Sequence, residues 1–415
     1  MTMRGRAVLV LTVALAMMSL ASCDHYNCGS GANFGSGCTA GSGGISGGGG
    51  TGGGTGSTLA LSYYVSNNEI GSLELSSSGS TNTLAATPDF ILPILPSGYE
   101  NSAMVIAQKQ FLYVPYASST ATPSLYAWLI DGSTGALTAI AGSPLSVPDV
   151  AGLPSSDQLT SPLITNPTGT FLYMADTSGS QIDIFQIDST SGVPTLLFQT
   201  PTQIVPWNLS TDGLGQFLYV TEGNAFGEGV QMEVFPINSI TGALSAGTTM
   251  AFNMWQVQGE PTGRFMIGVD GQTGFAPDTK LDPNIYVFSI APGTGALTQV
   301  GKFATANGPT SVAVSPNGQF VYDFSVVLST GFDGPVEGFS LGTSGILTPL
   351  TFDASTLSPP DGGFFDQSGS YLFFHASSAI GVYNVDSTGT PTQPILPVGV
   401  GSGAVIYPWA VTNPE

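Results

Sequence analysis

The sequence predicts an all-β fold, a seven-bladed β-propeller with four-stranded blades, whose ring is closed by a C-terminal strand completing the first blade. Three observations predict it. The first is a recurring strand motif, typified by Gly215-Gln-Phe-Leu-Tyr-Val220. It returns as Lys109-Gln-Phe-Leu-Tyr-Val114, Gly169-Thr-Phe-Leu-Tyr-Met174, Gly263-Arg-Phe-Met-Ile-Gly268, Gly318-Gln-Phe-Val-Tyr-Asp323 and Gly369-Ser-Tyr-Leu-Phe-Phe374, with a degenerate copy at Leu61-Ser-Tyr-Tyr-Val65. Aligned on Tyr64, Tyr113, Tyr173, Tyr219, Ile267, Tyr322 and Phe373, the gaps are 49, 60, 46, 48, 55 and 51 residues. A period of about 50 residues made of short β-rich runs is the signature of an array of small sheets. The second observation is that each copy is succeeded by a period-2 strand and then a turn, such as Thr134-Gly-Ala-Leu137, Thr241-Gly-Ala-Leu244 or Thr294-Gly-Ala-Leu297. Glycine there supplies the positive φ that a tight hairpin needs. The third is at the C-terminus. Pro408-Trp-Ala-Val-Thr-Asn-Pro414 matches the first-strand pattern of Pro206-Trp-Asn-Leu-Ser-Thr211, while the N-terminal unit begins at its second strand near Leu59. The late strand therefore completes the first unit, and no open edge is left.

In chain order, residues 1–22 read as a lipoprotein signal peptide. Arg4 and Arg6 precede an apolar run over 7–18, and Leu20-Ala-Ser-Cys23 resembles a bacterial lipobox. Cleavage before Cys23 and acylation of its thiol would anchor the chain in a membrane of the bacterial cell envelope. The apolar run is short for a transmembrane helix. Residues 23–58 form a Gly- and Ser-rich tether that buries almost nothing. Within it, Cys28 and Cys38 suit a small disulfide loop in an oxidising compartment. His25 with these two cysteines matches no zinc spacing, so no metal is assigned there. Residues 59–415 form the propeller, in which the third strand of each blade falls at 70–75, 125–130, 182–187, 232–237, 285–290, 336–341 and 380–385.

Charge excludes one class of partner. Asp and Glu number 27 against 6 Lys and Arg, a formal charge of −21. Removal of Arg4 and Arg6 with the signal leaves 4 − 27 = −23. Such a surface repels nucleic acid and anionic headgroups. The acidity also fits a soluble exported surface with no specific role.

The run Ala313-Val-Ser-Pro-Asn-Gly-Gln-Phe-Val-Tyr322, the Val-x-Val-Phe type of strand after it and the Thr-Gly-Ala-Leu turn resemble the lactonase-type seven-bladed propellers, a family that includes 6-phosphogluconolactonases and muconate-lactonising enzymes. The resemblance covers 59–415. It implies the fold and a mouth around the central channel where a lactone would be hydrolysed. The shared residues are scaffolding, and scaffolding does not dictate chemistry. A Glu after the second strand, as at Glu222, is similar to lactonase sequences and would act as general base on a water. A phosphorylated sugar acid requires Arg or Lys. Here Lys109 and Arg264 lie in turns at the opposite end of the blades, Lys280 lies in the 270–282 loop and Lys302 comes after a Thr-Gly-Ala-Leu turn. A neutral lactone fits that distribution better.

The position three beyond each aligned marker holds Asn67, Tyr116, Asp176, Glu222, Asp270, Ser325 and Ala376. Three consecutive blades thus offer a carboxylate at one level, suited to a cation or a shared proton, or else to capping turns. His375, the histidine of the propeller, is a candidate acid–base partner of Glu222. Trp207 and Trp409 align in their blades, with Trp255 two positions earlier. Aromatic platforms beside carboxylates suit sugars or cationic groups, and equally suit packing between blades. Trp128 reads as packing. Asp270, Asp278 and Asp282 are the candidates for calcium, without EF-hand spacing. No phosphate-binding glycine loop, serine nucleophile elbow or zinc motif occurs. The sequence supports three readings of function: a binding or scaffolding module for a glycan, peptide or protein at the propeller mouth; a hydrolase of a neutral lactone; and a structural protein of the envelope.

Overall fold

The computed structural model describes residues 57–66, 69–78, 81–86, 104–118, 121–147, 162–222, 231–252, 254–270, 282–327, 332–352, 362–376, 379–399 and 409–412. All belong to one compact unit, Gly54–Glu415. The signal segment, Cys23, Cys28, Cys38, Asn67, Asp278 and Lys280 lie outside the described residues.

Every described element is a strand, and the strands form seven antiparallel sheets. Blades 2 to 7 span 105–139, 163–201, 206–250, 256–304, 308–349 and 362–399, each running in sequence order from an inner to an outer strand. Blade 1 is different. Its inner strand is Trp409–Thr412, with Ser57–Ser66, Glu69–Ser78 and Thr81–Ala86 placed successively outward. Tyr63 pairs with Ala410 and Leu61 with Thr412. The inner strands touch one another in an unbroken cycle: 409–412, 105–107, 163–165, 206–211, 256–259, 308–314, 362–365 and back to 409–412. The structure is thus the seven-bladed propeller closed by its C-terminal strand.

The two sequence motifs turn out to be the two halves of one contact. In five of the seven blades the tyrosine hydroxyl of the motif strand donates to the carbonyl of the turn glycine in the next blade. Tyr63 reaches Gly135 at 2.8 Å, Tyr113 Gly192 at 2.6 Å, Tyr173 Gly242 at 3.1 Å and Tyr219 Gly295 at 2.8 Å. Tyr322 donates to Gly389 in the same way. All five tyrosines are fully buried. The phenylalanine two residues earlier presses on the same turn: a Cβ on Gly295 would stand 2.6 Å from Phe217, and one on Gly192 2.5 Å from Phe111. Both glycines have φ of 70°, a conformation that disfavours any side chain. The blades therefore select glycine twice over.

This pattern corrects the alignment in blade 1. Tyr63, not Tyr64, is the equivalent residue, because Tyr63 makes the latch while the ring of Tyr64 lies over Gly71 of the neighbouring strand. The first gap in the repeat is then 113 − 63 = 50 residues. In blade 5 the position is Ile267 and in blade 7 Phe373, so neither carries a hydroxyl.

Acidic residues account for much of the turn geometry. Oδ1 of Asp131 accepts from the backbone of Ser133 and Thr134, that of Asp188 from Thr190 and Ser191, and that of Asp386 from Thr388 and Thr390. Asn238 does the same without charge. These are side-chain-capped turns of the Asx kind. Between blades the core is apolar; at the blade 4–5 seam it joins Phe217, Tyr219 and Val234 to Met266 and Phe288. Trp128 packs as expected, buried and stacked on Tyr126 at 5.8 Å.

Candidate functional site

The motif strands run from the glycine turns to the opposite end of each blade, so residues three beyond the latch tyrosine sit at a common mouth. Glu222 ends the strand Phe217–Glu222 and stands opposite Pro206, the first residue of the inner strand Pro206–Thr211. A bulge at this point displaces Trp207 from the ladder. Asn208 then pairs with Thr221. In blade 5, Trp255 directly precedes the inner strand Gln256–Gly259, and its N–H donates to the Val269 carbonyl at 2.9 Å.

The carbonyl of Trp255 ties the two blades together. It accepts from Nδ2 of Asn208 at 2.8 Å and from Oγ1 of Thr221 at 3.2 Å. Asn208 comes directly after Trp207, and Thr221 directly before Glu222. Three candidates from different strands are thereby fixed to one hub. Each also carries a buried polar atom without a hydrogen-bond partner: Oε2 of Glu222, Nε1 of Trp207 and Nε1 of Trp255. Trp207 is 8% exposed and Trp255 1%. Buried polar atoms are nearly always satisfied, and three of the unpartnered ones among the described residues belong to this pair of neighbouring blades. Burial raises the proton affinity of Glu222 above that of an ordinary glutamate.

The register revises the expected alignment of the tryptophans. Ser210, Gln258 and Ala410 all face the latch position of their blades. Trp207 and Trp255 each lie three residues before that point, whereas Trp409 lies one residue before it. Trp255, not Trp409, is therefore the counterpart of Trp207. The shared Pro-Trp pair of letters hid this from a comparison of sequences. Trp409 belongs to the closing strand, where it pairs with Tyr64.

The other candidates separate. Asp176 is buried and spent on its own turn, accepting from Ser178 at 2.9 Å, the Gly179 N–H at 2.7 Å and Gln181 at 3.0 Å. Asp270 occupies the expected level in blade 5. Burial first, then repulsion from Asp282, pushes its carboxyl up to about 6, against the opposing pull of Lys302. Asp282 accepts from Tyr286 and Asn284, and pairs with Lys302 at 2.6 Å. An ammonium thus already neutralises one of the residues expected to bind calcium. Among the described residues, no group of three or more His, Cys, Asp or Glu has metal-binding geometry. His375 lies in the strand Tyr371–Ala376 of blade 7, its backbone paired with Gly362 and Ile380. Ser325 and Ala376 complete the mouth row; in blade 1 the place belongs to Ser66.

Among the described cations, Arg264 pairs with Glu260 at 2.9 Å in the turn at the other end of blade 5, Lys109 occupies the equivalent turn in blade 2, and Lys302 pairs with Asp282. The candidate residues joined through the Trp255 carbonyl comprise two indoles and a carboxylate. Asn208 and Thr221 escaped the sequence reading, because a hydrogen bond to a carbonyl of the neighbouring blade leaves no motif.

Solved structures with this architecture are numerous. A candidate 6-phosphogluconolactonase from Bacteroides fragilis matches with TM-score 0.59 and 19% identity over 85% of this chain and 98% of its own. One from Bacteroides uniformis matches with TM-score 0.61 and 17% identity over 85% and 99%. The periplasmic gluconolactonase of Pseudomonas aeruginosa matches with TM-score 0.63 and 13% identity over 86% and 100%. The chain has the fold of these propellers. At such identities the likeness concerns the fold alone. No protein-family model matches the chain, and no curated protein sequence matches it.

Proposed function

We propose that the chain is an exported, lipid-anchored propeller that binds an uncharged, hydroxyl-bearing ligand at the mouth between blades 4 and 5. One observation carries this reading: the orphaned Oε2 of Glu222 and the orphaned Nε1 atoms of Trp207 and Trp255 on strands joined through the Trp255 carbonyl. A hydroxyl both donates and accepts, so a polyol can satisfy a carboxylate and two indoles together. A simple cation offers the indoles no acceptor, and an anion meets Glu222. The test is a panel of neutral, cationic and phosphorylated sugars titrated into the full chain, read by tryptophan fluorescence. Preference for the phosphorylated or cationic members would sink the reading. Acylation at Cys23 is tested separately, by palmitate incorporation into the wild type and its absence from Cys23→Ser.

A second reading is hydrolysis of a neutral lactone. It is favoured by the elevated proton affinity of Glu222, which makes the carboxylate a better general base, and by the gluconolactonase among the structural neighbours. Turnover of glucono-1,5-lactone that disappears in Glu222→Gln would select it. Binding without turnover would leave the first reading standing.

A further inference from the structure

Blade 6 carries a buried carboxyl group that the mouth does not use. The position after the latch residue holds Tyr64, Val114, Met174, Val220, Gly268 and Phe374 in the other blades, and Asp323 here. Asp323 is fully buried. Its Oδ1 accepts the Glu337 N–H at 3.1 Å from the paired strand, and its Oδ2 has no partner. Glu337 is the ionisable group acting on it, and that carboxyl in turn holds the Ala306 N–H at 2.8 Å, in the connection entering blade 6. Apart from the amide of Gln256, which reaches Val312, the cluster on this side of the strand is apolar. Val312 and Phe339 come from blade 6, and Val269, Ile285 and Val287 from blade 5. No cation stands among the described residues there.

The same seam lacks its latch, because Ile267 stands where a tyrosine would reach the turn at Gly345. It is joined instead by two glutamine side chains of blade 5. Oε1 of Gln256 accepts the Val312 N–H at 3.2 Å and Oε1 of Gln258 the Val314 N–H at 3.1 Å. We infer that the blade 5–6 seam is a proton-controlled joint: the buried Asp323 carboxyl is held neutral beside the half-buried Glu337, and loss of its proton loosens the contact of blade 6 with blade 5. A carboxylate charged in a fully buried site with an unpartnered oxygen must move or admit water. Burial and the charge of Glu337 both raise the proton affinity of Asp323 well above the ordinary range. Such a group favours the folded ring most below the ordinary carboxylate range, and that advantage is lost as pH rises through the raised value.

The experiment is thermal unfolding of the full chain from pH 5 to 9, with hydrogen exchange read on Gly308–Val314 and Asn284–Ile290. The wild-type melting temperature should fall as pH rises through this range, and exchange in these two strands should rise beyond the intrinsic pH dependence. Asp323→Asn should flatten that fall and suppress the excess exchange. Asp323→Val restores the residue type of blades 2 and 4 and should do likewise. Glu337→Gln keeps an acceptor for Ala306 and, by removing one of the two causes that raise the proton affinity of Asp323, should make the fall smaller and end it at lower pH. A wild-type profile flat from pH 5 to 9, or excess exchange equal in Phe111–Ser118 of blade 2, would overturn the inference. So would an unchanged fall in whichever Asp323 variant folds.

Discussion

The hydroxyl of Tyr219 in blade 4 donates to the carbonyl of Gly295 in blade 5 across 2.8 Å, with the tyrosine wholly buried. This pair shows why the chain repeats two motifs in step. Tyr219→Phe keeps the ring and removes the donor, leaving the Gly295 carbonyl without it. The expected loss is about 1–2 kcal/mol, measured by denaturant unfolding. A loss indistinguishable from zero would mean that the ring packing, not the hydrogen bond, holds the seam.

Gly295 and Gly293 offer an internal control. Both have positive φ, 70° and 84°. A Cβ at Gly293 would meet nothing within 4 Å, whereas one at Gly295 would meet Phe217 at 2.6 Å. Gly293→Ala should therefore cost only the backbone strain, about 1 kcal/mol, and Gly295→Ala clearly more. Equal costs would show that Phe217 moves aside freely.

At the mouth, Trp207→Phe and Trp255→Phe each delete an indole N–H that has no partner in the fold. Neither should lose more stability than the reduced ring area accounts for. Each should weaken ligand binding by about one hydrogen bond, roughly three- to tenfold. Titration of the sugar panel into both variants checks this; unchanged affinity in both would remove the indoles from the site.

Asp183 in blade 3 predicts a pH dependence of its own. Burial, with some repulsion from Asp176, pushes its carboxyl up to about 6, against donation from Gln199 and Gln181. The folded chain therefore holds this proton more tightly than the unfolded chain does. Stability from this group is complete below about pH 4 and declines as pH rises through about 6, then levels off. Asp183→Asn should remove a decline of about 1–3 kcal/mol from that window, as judged by urea unfolding at pH 4, 5, 6 and 7. A variant as pH-sensitive as the wild type would refute it.

The architecture was legible because each sequence motif is a physical necessity at a seam. Glycine is required under Phe217 and Phe111, and tyrosine is required to reach the carbonyl beyond. Closure by Trp409–Thr412 was readable for the same reason, from a strand pattern lacking its own unit. Legibility failed where residues could slide. Tyr63 and Tyr64 are adjacent, and only the latch tells them apart. Pro206-Trp207 and Pro408-Trp409 match in letters, yet they stand two residues apart in register. At the mouth, Glu222, Trp207 and Trp255 could be named as candidates from the letters, but the hub made by Asn208 and Thr221 depends on a backbone carbonyl that has no letter. Asp323 was hidden because it replaces a single apolar residue without disturbing the period.

The unbroken cycle of inner strands has a kinetic consequence. An open array of repeats frays from its terminal units, which gain contacts on one side only. A closed ring has no terminal unit, so unfolding must begin with the breach of a seam, and the least secured seam sets the rate for the whole molecule. Lifetime in a protease-rich environment would then be governed by a single junction, and one substitution there could lengthen or shorten it while the other six remained as they are.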